Sequence, residues 1–260
     1  MERKISFHDL REALAQPGCA LCRLKARTAD QVVEALLWEQ VNDPGLRRRV
    51  RQARGFCHEH AWLLVRQGAS LGVAILLHDV LQDLLDETEA PPFQPPPPLS
   101  LRRAQEALDR SRPSLATAAL VARLEPHGPC PVCRQVEAME GVYFQTLVED
   151  LLGEDGLLDD FQASDGLCLP HFRQALALVR EREAFDALLF AQRRIWQDLA
   201  DRLSESIRKS DYRFRDEPLG EEAGSWLMAI VAVAGTSQAH EKLWATATRT
   251  GRLPGGNTGH

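Results

Sequence analysis

Apolar residues recur every three or four positions along most of this chain, the spacing of helices that bury one face. Ile5, Leu10 and Leu14 place a helix over residues 5–15, and Pro17-Gly18 stops it. Leu24, Val32, Val33, Leu36, Leu37 and Val41 predict a long helix from residue 21 to 41, closed by Asn42-Asp43-Pro44-Gly45. The residues between His60 and Glu87 read as one helix, or as two broken near Gly68 or Gly72. A further helix runs through Val142, Phe144, Leu147, Val148 and Leu151 to Gly156, and a longer one from Phe172 to about Lys209. Trp226, Leu227, Ile230 and Val233 mark a last helix. No stretch alternates β-branched and polar residues as strands do. The pattern predicts an all-α fold.

The proline run APPFQPPPPLS over residues 90–100 can neither donate backbone hydrogen bonds at its prolines nor continue a helix. It sets the expected domains: a first helical repeat over 1–90, a linker over 91–100, a second repeat over 101–211, a C-terminal segment and helix over 212–235, and a disordered tail over 236–260.

The two repeats carry the same chemistry. Cys19, Cys22, Cys57 and His60 spell CxxC and CxxH, and adding 111 to each number gives Cys130, Cys133, Cys168 and His171 without a gap. Arg23/Arg134, Leu36/Leu147, Gly45/Gly156, Leu46/Leu157 and Gly55/Gly166 coincide in the same register, which is the mark of an internal duplication. Three thiolates and an imidazole, presented in pairs two residues apart, suit a tetrahedral Cys3His zinc site. The expectation is two zinc ions per chain, one on Cys19, Cys22, Cys57 and His60 and the other on Cys130, Cys133, Cys168 and His171. A dithiol redox pair would need only two sulfurs, and three cysteines per repeat cannot all form disulfides. An iron–sulfur cluster stays open, since three Cys and one His also hold iron. In this register His58 matches Leu169 and His127 matches Gln16, so both read as histidines of the surface, or in contact with a ligand, rather than as ligands.

Each site already has four protein ligands, whereas a catalytic zinc keeps a position open for water or substrate. The chain also lacks Walker, GxGxxG, HExxH and GxSxG motifs, so the reading is a non-enzymatic interaction or regulatory module. A thiol switch that releases zinc on oxidation is one alternative. A nucleic-acid binder working through Arg47–Arg54 is the other, though a net charge of −6 gives it no general support. The N-terminus has no signal-peptide pattern, and Ala223–Gly235, the longest uncharged apolar stretch, is shorter than a membrane helix requires. Reduced, metal-bound thiolates suit the cytoplasm.

The repeats differ most between their glycines. Arg48, Arg49 and Arg54 stand in register with Asp159, Asp160 and Asp165, and Arg47 and Arg51 extend the basic run. Such segments suit an acidic partner, or docking of one repeat on its counterpart within or between chains. Residues 212–222 have no counterpart; Asp216, Glu217, Glu221 and Glu222 gather there beside Tyr212 and Arg213, at a position where acids cap a helix N-terminus.

With CALC, GFCHEH, CPVC, GLCLPHF and the string KSDYRFRDEPLGEEAGSW, the chain to about residue 235 resembles a bacterial family recorded as a domain of unknown function. The resemblance implies paired CxxC knuckles and a mainly helical chain, and brings no activity with it.

Overall fold

The computed structural model describes residues 4–89 and 115–236, apart from Arg215 and Leu219. The expected linker at 91–100, the lead into the second repeat at 101–114 and the tail beyond Thr236 lie outside the described residues. Among those described there is no strand. The helices are α1 (Ile5–Leu14), α2 (Ala20–Trp38), α3 (Pro44–Gln52), α4 (His58–Trp62), α5 (Ser70–Thr88), α6 (Leu115–Leu124), α7 (Pro131–Glu149), α8 (Leu158–Ala163), α9 (Leu169–Leu178), α10 (Arg182–Lys209) and α11 (Ser225–Ala234). Short 3-10 turns at Tyr212–Phe214 and Glu221–Gly224 join the last two. No described helix is long and apolar enough to cross a membrane.

Element boundaries follow local chemistry. The turn that ends α2 also starts α3: Asp43 caps it by accepting from the Leu46 amide at 2.5 Å, and Pro44 fills the first helical position, where no amide donor is needed. Gly68, at φ 80°, separates α4 from α5. The long helix expected from Phe172 to Lys209 is two helices, because Val179 and Glu181 are extended. That break lets α9 bury Phe172 and Ala175 while α10 buries Ala184, Leu188 and Ala191 in the same core. Helix α7 begins and ends 111 residues after α2, and Gly55 and Gly166 both have positive φ.

The chain divides into two compact units that cut across the repeat boundaries. One holds the described residues of Met1–Thr28 and Val136–His260, the other those of Ala29–Gln135. The chain passes between them within α2 and within α7. In the first unit Phe7, Leu10 and Leu21 pack with Phe144, Leu147, Phe161, Phe172 and Leu188. In the second, Val33, Leu36, Leu46, Val50, Leu64 and Leu76 are buried, and α3 lies on α5.

Candidate metal centres

The first unit contains one cluster. Pro17-Gly18 ends the α1 connection, with Gly18 at φ 91°, so that Cys19 precedes α2 and Cys22 falls in its first turn. Asp165 holds this bend by accepting from the Gly18 amide at 2.7 Å. Cys168 occupies the N-cap of α9 and His171 its first turn, so a three-residue helical spacing turns both toward one point. The His171 Nδ1 lies 3.3 Å from Cys19 Sγ, 3.5 Å from Cys22 Sγ and 3.2 Å from Cys168 Sγ. Cys22 and Cys168 Sγ are 3.8 Å apart. All four residues are buried, with relative exposures of 4%, 6%, 1% and 5% for Cys19, Cys22, Cys168 and His171.

The second unit repeats the arrangement. Cys57 caps α4 with the same extended backbone as Cys168, and His60 follows within the helix. Their partners are Cys130, just before α7, and Cys133 in its first turn. His60 Nδ1 lies 3.2 Å from Cys57 Sγ, 3.7 Å from Cys130 Sγ and 3.2 Å from Cys133 Sγ; Cys57 and Cys133 Sγ are 3.6 Å apart. His60 is buried, but all three cysteines are only half-buried.

Each cluster can hold one metal ion, its four donor atoms lying within 4.8 Å of one another. The six cysteines are free, and sulfur separations of 3.6 and 3.8 Å far exceed the roughly 2.05 Å of a disulfide. The eight ligands expected from the repeat thus come together, in a different pairing. Cys19 and Cys22 join Cys168 and His171, whereas Cys130 and Cys133 join Cys57 and His60. The expectation that each repeat supplies its own quartet is overturned. His58 and His127 are exposed and outside both clusters.

The donors share protons unevenly. Burial pushes the Cys19 thiol well up, and the neighbouring Cys168 and Cys22 add to this. Hydrogen bonds with Cys168 and Cys19 pull Cys22 down in spite of burial. Burial opposes protonation of His171, yet its bonds to Cys168, Cys22 and Glu140 carry it up to about 11. In the second cluster burial and the bond to Cys57 raise Cys133 to about 12. Burial also works against the Cys130 thiolate, but His60 and the amides of Cys133, Cys57 and Val132 bring it down to about 6. Several thiols held this close could all ionise only with positive charge among them, which a divalent cation would supply.

Several supporting groups carry no signal in the sequence. The outer nitrogen of His171, Nε2, is 2.9 Å from Glu140 Oε1, and Lys25 Nζ is 3.5 Å from the other oxygen of that carboxylate. A carboxylate on the far side of a ligating imidazole fixes its tautomer and orientation. The residue in register with Glu140 is Ala29. The side-chain oxygen of buried Gln192 accepts from the Leu167 amide at 2.9 Å, bracing the loop that carries Cys168. The Thr236 amide donates to Cys22 Sγ at 3.4 Å.

The charged segments find partners within their own units. Arg47, Arg51 and Arg54 reach Asp79 at 2.6 Å, Asp83 at 3.6 Å and Glu87 at 3.5 Å, a ladder joining α3 to α5. Asp160 receives Arg11 Nε at 2.8 Å, and Asp165 receives the Gly18 amide. Arg48, Arg49 and Asp159 make no ion pair among the described residues. In the unduplicated segment Glu217 pairs with Arg208, and Glu222 with Lys209 at 2.8 Å.

No solved structure matches the chain. A protein of Caldicellulosiruptor sp. (strain Rt8B.4), described as an uncharacterized 23.9 kDa protein in the xynA 3' region, is 24% identical over 226 residues, which cover 86% of this chain and 98% of that one. Paired knuckles on a helical chain accord with the match over residues 1–240 to the family of unknown function DUF6062, and the chain belongs to that family.

Proposed function

We propose that this is a non-enzymatic interaction or regulatory protein whose two units are each stapled by one structural zinc ion. The edge lengths of the clusters carry this reading. Sulfurs at about 2.3 Å and a nitrogen at about 2.0–2.1 Å around one zinc stand roughly 3.8 Å apart for sulfur pairs and roughly 3.5 Å for sulfur–nitrogen pairs. The clusters have sulfur pairs at 3.8 and 3.6 Å and sulfur–nitrogen pairs between 3.2 and 3.7 Å. With three thiolates and an imidazole bound, no coordination position is left for a substrate, so the ion would hold helices together rather than activate water. The residues that would hold it are Cys19, Cys22, Cys168 and His171 in one unit and Cys57, His60, Cys130 and Cys133 in the other.

Elemental analysis and X-ray absorption on the purified protein test this. Two zinc ions per chain with three sulfurs and one nitrogen each support it. A metal-free protein that keeps its helicity overturns it, and a brown protein absorbing in the visible replaces zinc with iron–sulfur.

For the interaction surface we assign Arg48 and Arg49, exposed on α3 and unengaged among the described residues, to an acidic protein partner. Nucleic acid is the lesser reading, because Arg47, Arg51 and Arg54 are already drawn onto α5. The half-buried Cys57, Cys130 and Cys133 favour the thiol-switch reading for the second unit alone.

A further inference from the structure

The two clusters have similar cores and different surroundings. The segment that follows α10 has no counterpart in the first repeat, and it ends on the sulfurs of the first unit. Gly235 closes α11 at φ 77° and ψ −176°, a backbone region open essentially to glycine alone. A Cβ at this position would stand 3.1 Å from Cys22 Sγ and 3.3 Å from Cys168 Sγ. The next amide, Thr236, bonds Cys22 Sγ. Glycine is therefore required twice, by the backbone and by the sulfurs beneath it. The pocket lined by Cys19, Gly166, Cys168, Leu199, Met228 and Val231 offers about 10 Å³, room for no more than about one water.

The acids of the unduplicated string hold this closure in place. Glu222 accepts from Lys209 Nζ and from the Gly220 amide, both at 2.8 Å, and Lys209 also donates to the Pro218 carbonyl at 2.9 Å. Arg208 ties Glu217 to the end of α10. These contacts fold the chain back so that α11 packs on α9 and α10. The three cysteines of the second cluster are half-buried, whereas those of the first are buried.

We infer that the described residues of 209–236 form a strap that seals the first centre against metal exchange, and that the second centre is the one through which the protein gives metal to, and takes it from, external thiol and nitrogen donors. The inference rests on the zinc reading above. Exchange by an incoming donor requires that donor to approach the ion, and half-exposed thiolates allow this where a capped cluster does not. Lys209, Glu217, Glu222 and Gly235 thereby gain a shared role as residues that position the closure.

The test is a chelator challenge of the intact, zinc-loaded protein, using the chromophoric 4-(2-pyridylazo)resorcinol. One ion per chain should leave fast and the other at least about tenfold more slowly, the scale on which outer contacts act on metal affinity. Cys57→Ser should abolish the fast phase. Glu222→Gln and Gly235→Ala should speed the slow phase and leave the fast one unchanged, with two zinc ions still present at the start. Cadmium-113 NMR of the same chain, titrated with chelator, should show one resonance persisting after the other has gone. Loss of both ions in a single phase, or a fast phase that survives Cys57→Ser, overturns the strap while leaving two zinc sites intact. Absence of zinc at the start overturns the metal reading itself.

Discussion

The two units carry matching ligand clusters on unequal cores. The first buries Phe7, Tyr143, Phe144, Phe161 and Phe172 together with fourteen aliphatic side chains. Among the described residues of the second, every buried hydrophobic is aliphatic, from Val33 and Leu36 on α2 to Leu76 and Val80 on α5, while Trp38 and Trp62 remain exposed. Aromatic residues bury the largest areas, so the first unit gains more from desolvation, and the second leans more on its cluster and on the arginine ladder. The metal staple proposed for each unit would therefore carry different weight in the two.

Metal removal should break this symmetry most. Under a strong chelator, amide exchange protection should collapse over α3, α4 and α5 but persist in part over α7, α9 and α10, because a structural zinc site contributes folding free energy of about 10–16 kcal/mol in peptides that lack other support. Cys133→Ser and His60→Ala should each lose about one zinc ion and that protection, and His58→Ala should lose neither. Equal loss of protection in both units would erase the distinction drawn from their cores.

A core truncation tests the other side. Phe161→Ala should destabilise the first unit by about 3–5 kcal/mol with two zinc ions retained, as expected for a fully buried aromatic. Chemical denaturation of the zinc-loaded protein gives the figure, and a cost below about 1 kcal/mol would mean that the aromatic core is not what carries this unit.

The paired glycines sharpen the comparison further. A Cβ at Gly55 would meet nothing within 4 Å, whereas one at Gly166 would stand 2.7 Å from the Gln192 amide nitrogen. Both have positive φ, so Gly55→Ala should cost roughly 1–2 kcal/mol and Gly166→Ala more. Adding Gln192→Ala to Gly166→Ala should recover part of the difference, measured as a double-mutant cycle. The smallest effect belongs to the ladder: Arg47→Gln should lower the melting temperature by no more than about 2 °C at low salt and less at high salt.

Which eight residues would cluster was legible in the sequence because residue type and spacing point to it: CxxC before a helix and CxxH at a helix start each turn two donors toward one point. The pairing was not. An ungapped repeat presents the same two motifs whether each CxxC takes the near CxxH or the far one. Loop closure hardly decides between them, since lengthening a loop fourfold costs only about 1.2 kcal/mol. One signal was available in α2. From Cys22 to Trp38 an unbroken helix carries the chain about 24 Å, at 1.5 Å per residue, away from its own knuckle. Glu140 and Gly235 were beyond reach because their roles depend on contacts between residues far apart in sequence. The split of α9 from α10 was hidden because both sides of the break keep helical periodicity.

The crossed pairing sets an order on synthesis. A ribosome that has passed His60 but not reached Cys130 has made Cys19, Cys22, Cys57 and His60, a complete Cys3His set by residue type, drawn two from each native cluster. Cys133 completes the second unit's ligands, and the Thr236 contact follows only 103 residues later, an interval of about 5–20 s at ordinary elongation rates. Until Cys130 emerges, the one quartet the nascent chain owns is the quartet the finished protein does not use.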